Sequence, residues 1–173
     1  MRQLLREMQS EDPKLLAEKL IDAGVVAPGS LVGCSDGEIA ALESYFSVQL
    51  PEAYKAFLRV WGKADGGYLN DCLYLYSSLI KWVRPSAESS AQLNNLQILP
   101  TWFFFLARDS VFLFFDTVQG NDPPVFRYTG GFEGFEQVYD SFSFWLTDMV
   151  NVDIESWKEF QQVKREIAQR DSK

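Results

Sequence analysis

Residues 39–67 read IAALESYFSVQLPEAYKAFLRVWGKADGG. Two helical periods meet there across a Leu-Pro break. Ile39, Leu42 and Phe46 fall on one helical face, and Ser35-Asp36-Gly37-Glu38 just before them has the spacing of a capping box. Beyond Leu50-Pro51 a second stripe follows, made of Tyr54, Phe57, Leu58 and Trp61. Gly62 and the Asp65-Gly66-Gly67 turn stop it. The spacing predicts a buried helix–helix seam of Leu42, Phe46, Leu50, Tyr54, Phe57, Leu58 and Trp61, with Pro51 at the break.

Upstream, Leu4, Leu5 and Met8 mark a short amphipathic turn. Asp12-Pro13 then reads as a cap and first residue of a helix with Leu16, Leu20 and Ile21 on its apolar stripe and Gly24 as its stop. Downstream the period changes to two. Leu73 to Tyr76 reads as a strand, Ser78 to Val83 as a helical turn, and the polar stretch RPSAESSAQLNNLQ, residues 84–97, as a mobile loop. WFFFLARDSVFLFF, residues 102–115, is a β-hairpin by pattern, with Arg108-Asp109-Ser110 as its turn. Val125 to Tyr128 is a further short strand. Phe142, Trp145, Leu146 and Met149 restore helical spacing behind a cap at Asp140 or Ser141. Asp153 is expected to cap a last helix carrying Ile154, Trp157, Phe160, Lys164 and Ile167. The fold class is α+β in a single domain: an antiparallel sheet packed against helices, with additional N- and C-terminal helices. The expected organisation is an N-terminal helical extension over 1–34, a central α+β domain over 35–150 and a C-terminal helix over 151–173.

The order and identity of these residues resemble the SUKH superfamily. Its signature is an apolar residue and Leu-Glu on one helix, then Leu-Pro, a nearby Tyr, Phe-Leu and a glycine-containing turn. Here these are Ile39, Leu42-Glu43, Leu50-Pro51, Tyr54, Phe57-Leu58 and Gly66-Gly67. The segment FSFWLTDM, residues 142–149, is similar to the family's Ser-Phe-x-x-Phe/Trp-Leu ending. Two departures concern the subfamily: Lys63-Ala64-Asp65-Gly66-Gly67 stands where an Asn-Gly pair is usual, and Arg108-Asp109-Ser110 where a Gly-rich turn is frequent. The resemblance implies an α+β domain with helices against a sheet. It also implies a non-enzymatic bacterial immunity protein that binds and neutralises a cognate toxin domain, often a nuclease. The alternative it leaves open is a regulatory or scaffolding module.

Composition is that of an ordinary globular protein, 47% hydrophobic and 23% charged. The 173 residues carry a net charge of −8, which repels phosphate backbones and disfavours nucleic-acid partners. The same charge suits a basic protein partner, although its plainer reading is solubility alone. There is no histidine, the commonest general base and metal ligand. No phosphate loop, nucleophile elbow or paired-cysteine motif occurs, so neither cofactor nor metal is expected. Cys34 and Cys72 lack CxxC spacing and read as apolar thiols of a reducing compartment. The N-terminus has no signal-like apolar region, and no run reaches the ~18 apolar residues of a membrane helix, so a cytoplasmic protein without membrane contact is expected.

Both faces of the 102–115 hairpin are apolar. By strict alternation Trp102, Phe104 and Leu106 share one face, and Phe103, Phe105 and Ala107 the other. Three arrangements would keep water off the second face: cover by the terminal helices, a partner surface, or self-association into a homodimer. For a partner surface the candidates are Tyr68, Asp71, Tyr74, Trp82, Arg108 and Asp116, the residue types that anchor and steer interfaces. Asp65, Asp122, Glu133 and Glu136 would complete an acidic rim.

Overall fold

The computed structural model describes residues 10–132 and 134–170. Leu4, Leu5, Met8 and Glu133 lie outside the described residues. Helix α1, Pro13–Asp22, starts where Asp12 accepts from the Lys14 amide at 2.8 Å. Strand β1, Leu31–Val32, pairs antiparallel with β2, Ala64–Asp65. Between them lie α2, Asp36–Phe46, with the Ser35/Glu38 capping box formed in both directions, and α3, Glu52–Trp61. Then come a single turn α4, Tyr76–Ser78, a π-helical turn, Leu79–Val83, and α5, Arg84–Leu93. Strands β3, Trp102–Arg108, β4, Val111–Asp116, β5, Val125–Thr129, and β6, Glu136–Tyr139, form an antiparallel meander in that order. Helix α6, Phe142–Arg170, ends the described chain.

The seam is present, and it reaches further than a helix pair. Leu42, Leu50, Tyr54, Phe57, Leu58 and Trp61 are buried, and Phe46 is half-buried with its ring edge-on to Phe103. Tyr54 touches Phe103, Phe105 and Phe115 of the sheet and Phe142 of α6. The stripe of α3 thus packs on one face of the sheet beside α6, while α1 lies outside, against α3 and α6. The amide of Glu11 donates to the Thr147 hydroxyl at 3.0 Å and ties the start of α1 to α6.

The opposite face is covered, but by neither terminal helix. Residues 84–97, expected as a loop, contain α5, which lies over the sheet. Ala87 and Ala91 are buried, Arg84 donates to the Trp102 carbonyl at 3.1 Å, and Ser90 and Asn94 meet the Tyr128 hydroxyl at 3.1 and 3.0 Å. Beneath lie Phe104, Phe112, Phe114 and Tyr128, all buried, and Phe135 closes the far side against Trp102, Phe114 and Tyr128. The sequence hid this helix because its buried stripe is alanine, which adds little to a hydropathy pattern.

Three more expectations change, and one strand is new. Leu73 to Tyr76 is no strand: one bridge, Leu73 to Ala107, is made, and Tyr76 already begins a helix. Strand β6 was missed because its four residues are all exposed or half-buried. The two C-terminal helices are one, since the Asp153 side chain accepts from Tyr68 and caps nothing. The hairpin register slips between Phe104 and Leu106, so Leu106 faces Leu113, Ala107 faces Phe112, and strict alternation fails beyond the bulge. Ser141 is the residue at the start of α6, receiving the Phe144 amide. No described helix is long and apolar enough to cross a membrane.

Candidate functional site

The Leu73–Ala107 bridge organises the site. Its two hydrogen bonds, 2.7 and 2.9 Å, pin the 66–75 loop to the free edge of β3. That places Asp71 beside Arg108 at the hairpin end, and the two form an ion pair at 2.6 Å with both side chains exposed. Under this pair is a layer in which Asp65 and Tyr74 are buried and Tyr68, Cys72 and Asp153 are half-buried. Asp65 accepts from the Tyr74 hydroxyl and from the amides of Gly67, at 2.9 Å, and Leu69, at 3.0 Å. Tyr68 donates to Asp153 of α6 at 2.7 Å, across 85 positions of sequence. The Cys72 thiol approaches Asp71 at 3.5 Å.

The site brings together four of the six candidates: Tyr68, Asp71, Tyr74 and Arg108. Tyr74 is core, with its ring near Phe57 and its hydroxyl bound by Asp65. Trp82 stands elsewhere, on the π-helical turn, 59 % exposed. Asp116 pairs with Trp102 at the opposite end of the β3–β4 hairpin from Arg108 and caps the Val118 amide. The acidic rim dissolves into separate roles. Asp65 is buried, Asp122 holds the Ser143 amide at the start of α6, and Glu136 pairs with Arg127 across β5 and β6.

The residues missed were Asp65 as a buried acceptor, Asp153 and Cys72. Asp65 did carry a signal, because an Asp followed by Gly-Gly can fold its carboxylate back onto the amide two residues on. No sequence signal connects Tyr68 with Asp153.

The electrostatics fix the protonation states. Burial alone would raise the Asp65 carboxyl, but the Tyr74 hydroxyl and the Leu69 and Gly67 amides outweigh it and hold it below its ordinary value. Burial and then the neighbouring carboxylates push Tyr68 and Tyr74 far up, so both stay neutral. Burial and Asp71 raise Cys72 to about 12, and burial and Glu38 raise Cys34 to about 11. Neither thiol is poised as a thiolate nucleophile near neutral pH. Both cysteines are free.

One acid-stability prediction follows. A carboxyl depressed in the fold contributes stability that is complete above its unfolded value, 3.8, and is lost as pH falls through the lower folded value. Asp65→Asn is expected to flatten that acid limb of Tm against pH and to lower Tm at pH 7. An acid limb of unchanged slope in the variant would refute this role for Asp65.

Among the described residues no His, Cys, Asp or Glu group is placed to hold a metal ion. A groove of about 550 Å³ between α1 and α6 is lined by Lys19, Asp22, Ile154 and Lys158 among others, and by none of the six candidates. What the site offers is a fixed array: charges outside, and beneath them tyrosines and carboxylates already bonded to each other. The model of the SMI1 / KNR4 family (SUKH-1) matches residues 33–148, more than half of the chain. No curated protein matches it.

Proposed function

We propose, because the chain belongs to the SMI1 / KNR4 family (SUKH-1), that it is an immunity protein: it binds and neutralises a cognate bacterial toxin domain without turnover. The partner is basic, and the contact surface is the hairpin end carrying Tyr68, Asp71 and Arg108. The observation that carries this reading is the two-level build of that end. Asp71, Arg108 and Asp109 are exposed, and the tyrosine–aspartate layer below them is fully bonded. A surface held rigid before contact loses little side-chain entropy on binding. Groups whose protonation is locked away from neutrality suit recognition better than proton transfer. Binding there would act by occlusion, and the excess of carboxylates would steer a basic partner into register.

The test pairs protection with kinetics. Where a toxin gene neighbours this one, cells producing that toxin should survive when this protein is co-expressed. Asp71→Lys together with Asp109→Lys should slow toxin association and weaken its salt dependence, with the thermal melt retained. Asp116→Lys, at the far end of the hairpin, should leave association unchanged. Absence of protection sinks the immunity reading. Protection with kinetics indifferent to Asp71 and Asp109 but sensitive to Asp116 moves the interface to the other end of the sheet.

A further inference from the structure

The family match ends at residue 148, but α6 runs on to Arg170. Phe142 and Phe160 are 18 residues apart, which is five helical turns, so they share a face. On the first half of α6 the body fills that face: Phe142 and Trp145 are buried and Met149 is half-buried. At Asp153 the same face meets the hydroxyl of Tyr68 at 2.7 Å. Two turns further out, about 10 Å along the helix, it carries Phe160, Val163 and Ile167, which are 56, 53 and 54 % exposed. The body has ended there and the apolar stripe has not. The arm therefore overhangs the 66–75 loop and makes an inside corner with it, the Tyr68–Asp153 bond lying in the crook. The half-buried Trp157 steadies the Phe160 ring, with the two centroids 5.8 Å apart.

We infer, on the basis of the hairpin-end contact, that the partner protein sits in this corner: Asp71 and its neighbours steer it, and the stripe of the arm anchors it through an apolar ridge beside the partner's basic surface. The exposed groups of the hairpin end, Asp71, Arg108 and Asp109, are all charged. A tight interface holds an apolar or aromatic centre inside a polar rim, and the arm supplies the centre that the hairpin end lacks. The reach fits. Asp71 lies within ~11 Å of Tyr68 along the chain, one hydrogen bond joins Tyr68 to Asp153, and Phe160 is ~10 Å beyond. Together these steps stay near the ~30 Å width of a standard contact patch of ~800 Å² per partner. Around the stripe Glu159 and Glu166 offset Lys164 and Arg170, and Lys158 and Arg165 stand on the far side, so the arm adds apolar area without opposing the steering. A second copy is the poorer occupant, because a helix laid along this stripe would run into the body that fills the same face nearer in. An anionic membrane is poorer too, since it would repel a body of net charge −8.

The test puts the photo-cross-linker benzoylphenylalanine in place of Phe160, of Asn70 beside Asp71, or of Arg165 on the far side of the arm, in the full chain produced in its native cells. All three positions are exposed. Phe160 and Asn70 should trap one and the same basic protein, and Arg165 should not trap it. Against that protein, purified, Phe160→Ser/Ile167→Ser should speed dissociation by at least about tenfold and change association by less than about twofold. Asp71→Lys/Asp109→Lys should instead slow association. Phe160→Leu, which stays apolar, should keep most of the parent's bound lifetime, and none of the arm variants should move the thermal melt. Different proteins at Phe160 and Asn70, a second copy of this chain at Phe160, equal trapping at Arg165, or no adduct at Phe160 each overturn the inference. So does a Phe160→Ser/Ile167→Ser chain with the parent's dissociation rate. A shared partner that is no toxin removes the immunity reading and leaves the corner standing. Protection from a neighbouring toxin by a chain whose Phe160 position traps nothing removes the corner and leaves the immunity reading standing.

Discussion

Gly33→Ala is expected to destabilise the fold by about 3 kcal/mol or more, the top of the range for overpacked cores. A Cβ at Gly33 would stand 1.8 Å from the Arg59 carbonyl oxygen and 2.4 Å from its carbon. Both are backbone atoms of α3, so no side chain can swing aside. The approach is fixed on either side by the Cys34 amide on the Leu58 carbonyl, 2.8 Å, and the Lys63 amide on the Val32 carbonyl, 2.9 Å. Adding one methyl must part β1 from α3 and break at least one of those bonds. Gly37→Ala is the control: it sits in the first turn of α2, where a Cβ meets only the Ser35 hydroxyl at 4.0 Å. That change should be neutral, or stabilising by up to about 1 kcal/mol. Chemical denaturation of the two variants reads both numbers. A Gly33→Ala loss under about 1 kcal/mol would mean that the β1–α3 contact yields.

The second large effect is at Tyr54. Its ring is buried among Phe57, Phe103, Phe105, Phe115 and Phe142, and joins α3, the sheet and α6 in one contact set. Tyr54→Ala should cost about 3–5 kcal/mol through the cavity it leaves. The hydroxyl behaves differently. It is buried with no hydrogen-bond partner among the described residues. An unpaired buried hydroxyl carries its full desolvation cost, so Tyr54→Phe should be neutral or stabilising by about 1 kcal/mol. Equal losses for the two variants would show that the hydroxyl, rather than the ring, matters at this position.

The elements legible in the sequence were those whose local chemistry and packing agree. Asp12-Pro13, the Ser35–Glu38 box and the Tyr54-Phe57-Leu58-Trp61 stripe each specify a boundary or a face without help from distant residues. The hairpin was legible for the same reason, through β-rich runs around a tight turn. What failed to show were features settled by tertiary contact. Helix α5 buries Ala87 and Ala91, and only the aromatic sheet beneath makes so thin a stripe sufficient. Asp153 has the side chain of a cap, but Tyr68, 85 positions away, takes its carboxylate, and the helix continues through it. The bulge at Phe105 depends on how β3 meets β4 and has no marker in its own residues. At the site, Asp71 and Arg108 could be chosen by residue type, but their pairing depends on the Leu73–Ala107 bridge. Asp116, equally plausible by type, was carried to the other end by the direction of β4.

The thinness of α5 has a kinetic meaning. Alanines, a serine and a few side-chain bonds to Tyr128 and Trp102 bury less apolar area per residue than the rings of α3 do. Its detachment is therefore a sub-global opening, cheaper than unfolding the molecule and reached more often. Such an opening would uncover aromatic surface of the sheet next to the free edge of β3, with Phe114 still flanked by Phe135. Aggregation in a crowded solution is then expected to track how quickly one small helix closes again. Global stability can rise through better packing around Tyr54 without slowing loss by aggregation, because that route begins on the other side of the sheet.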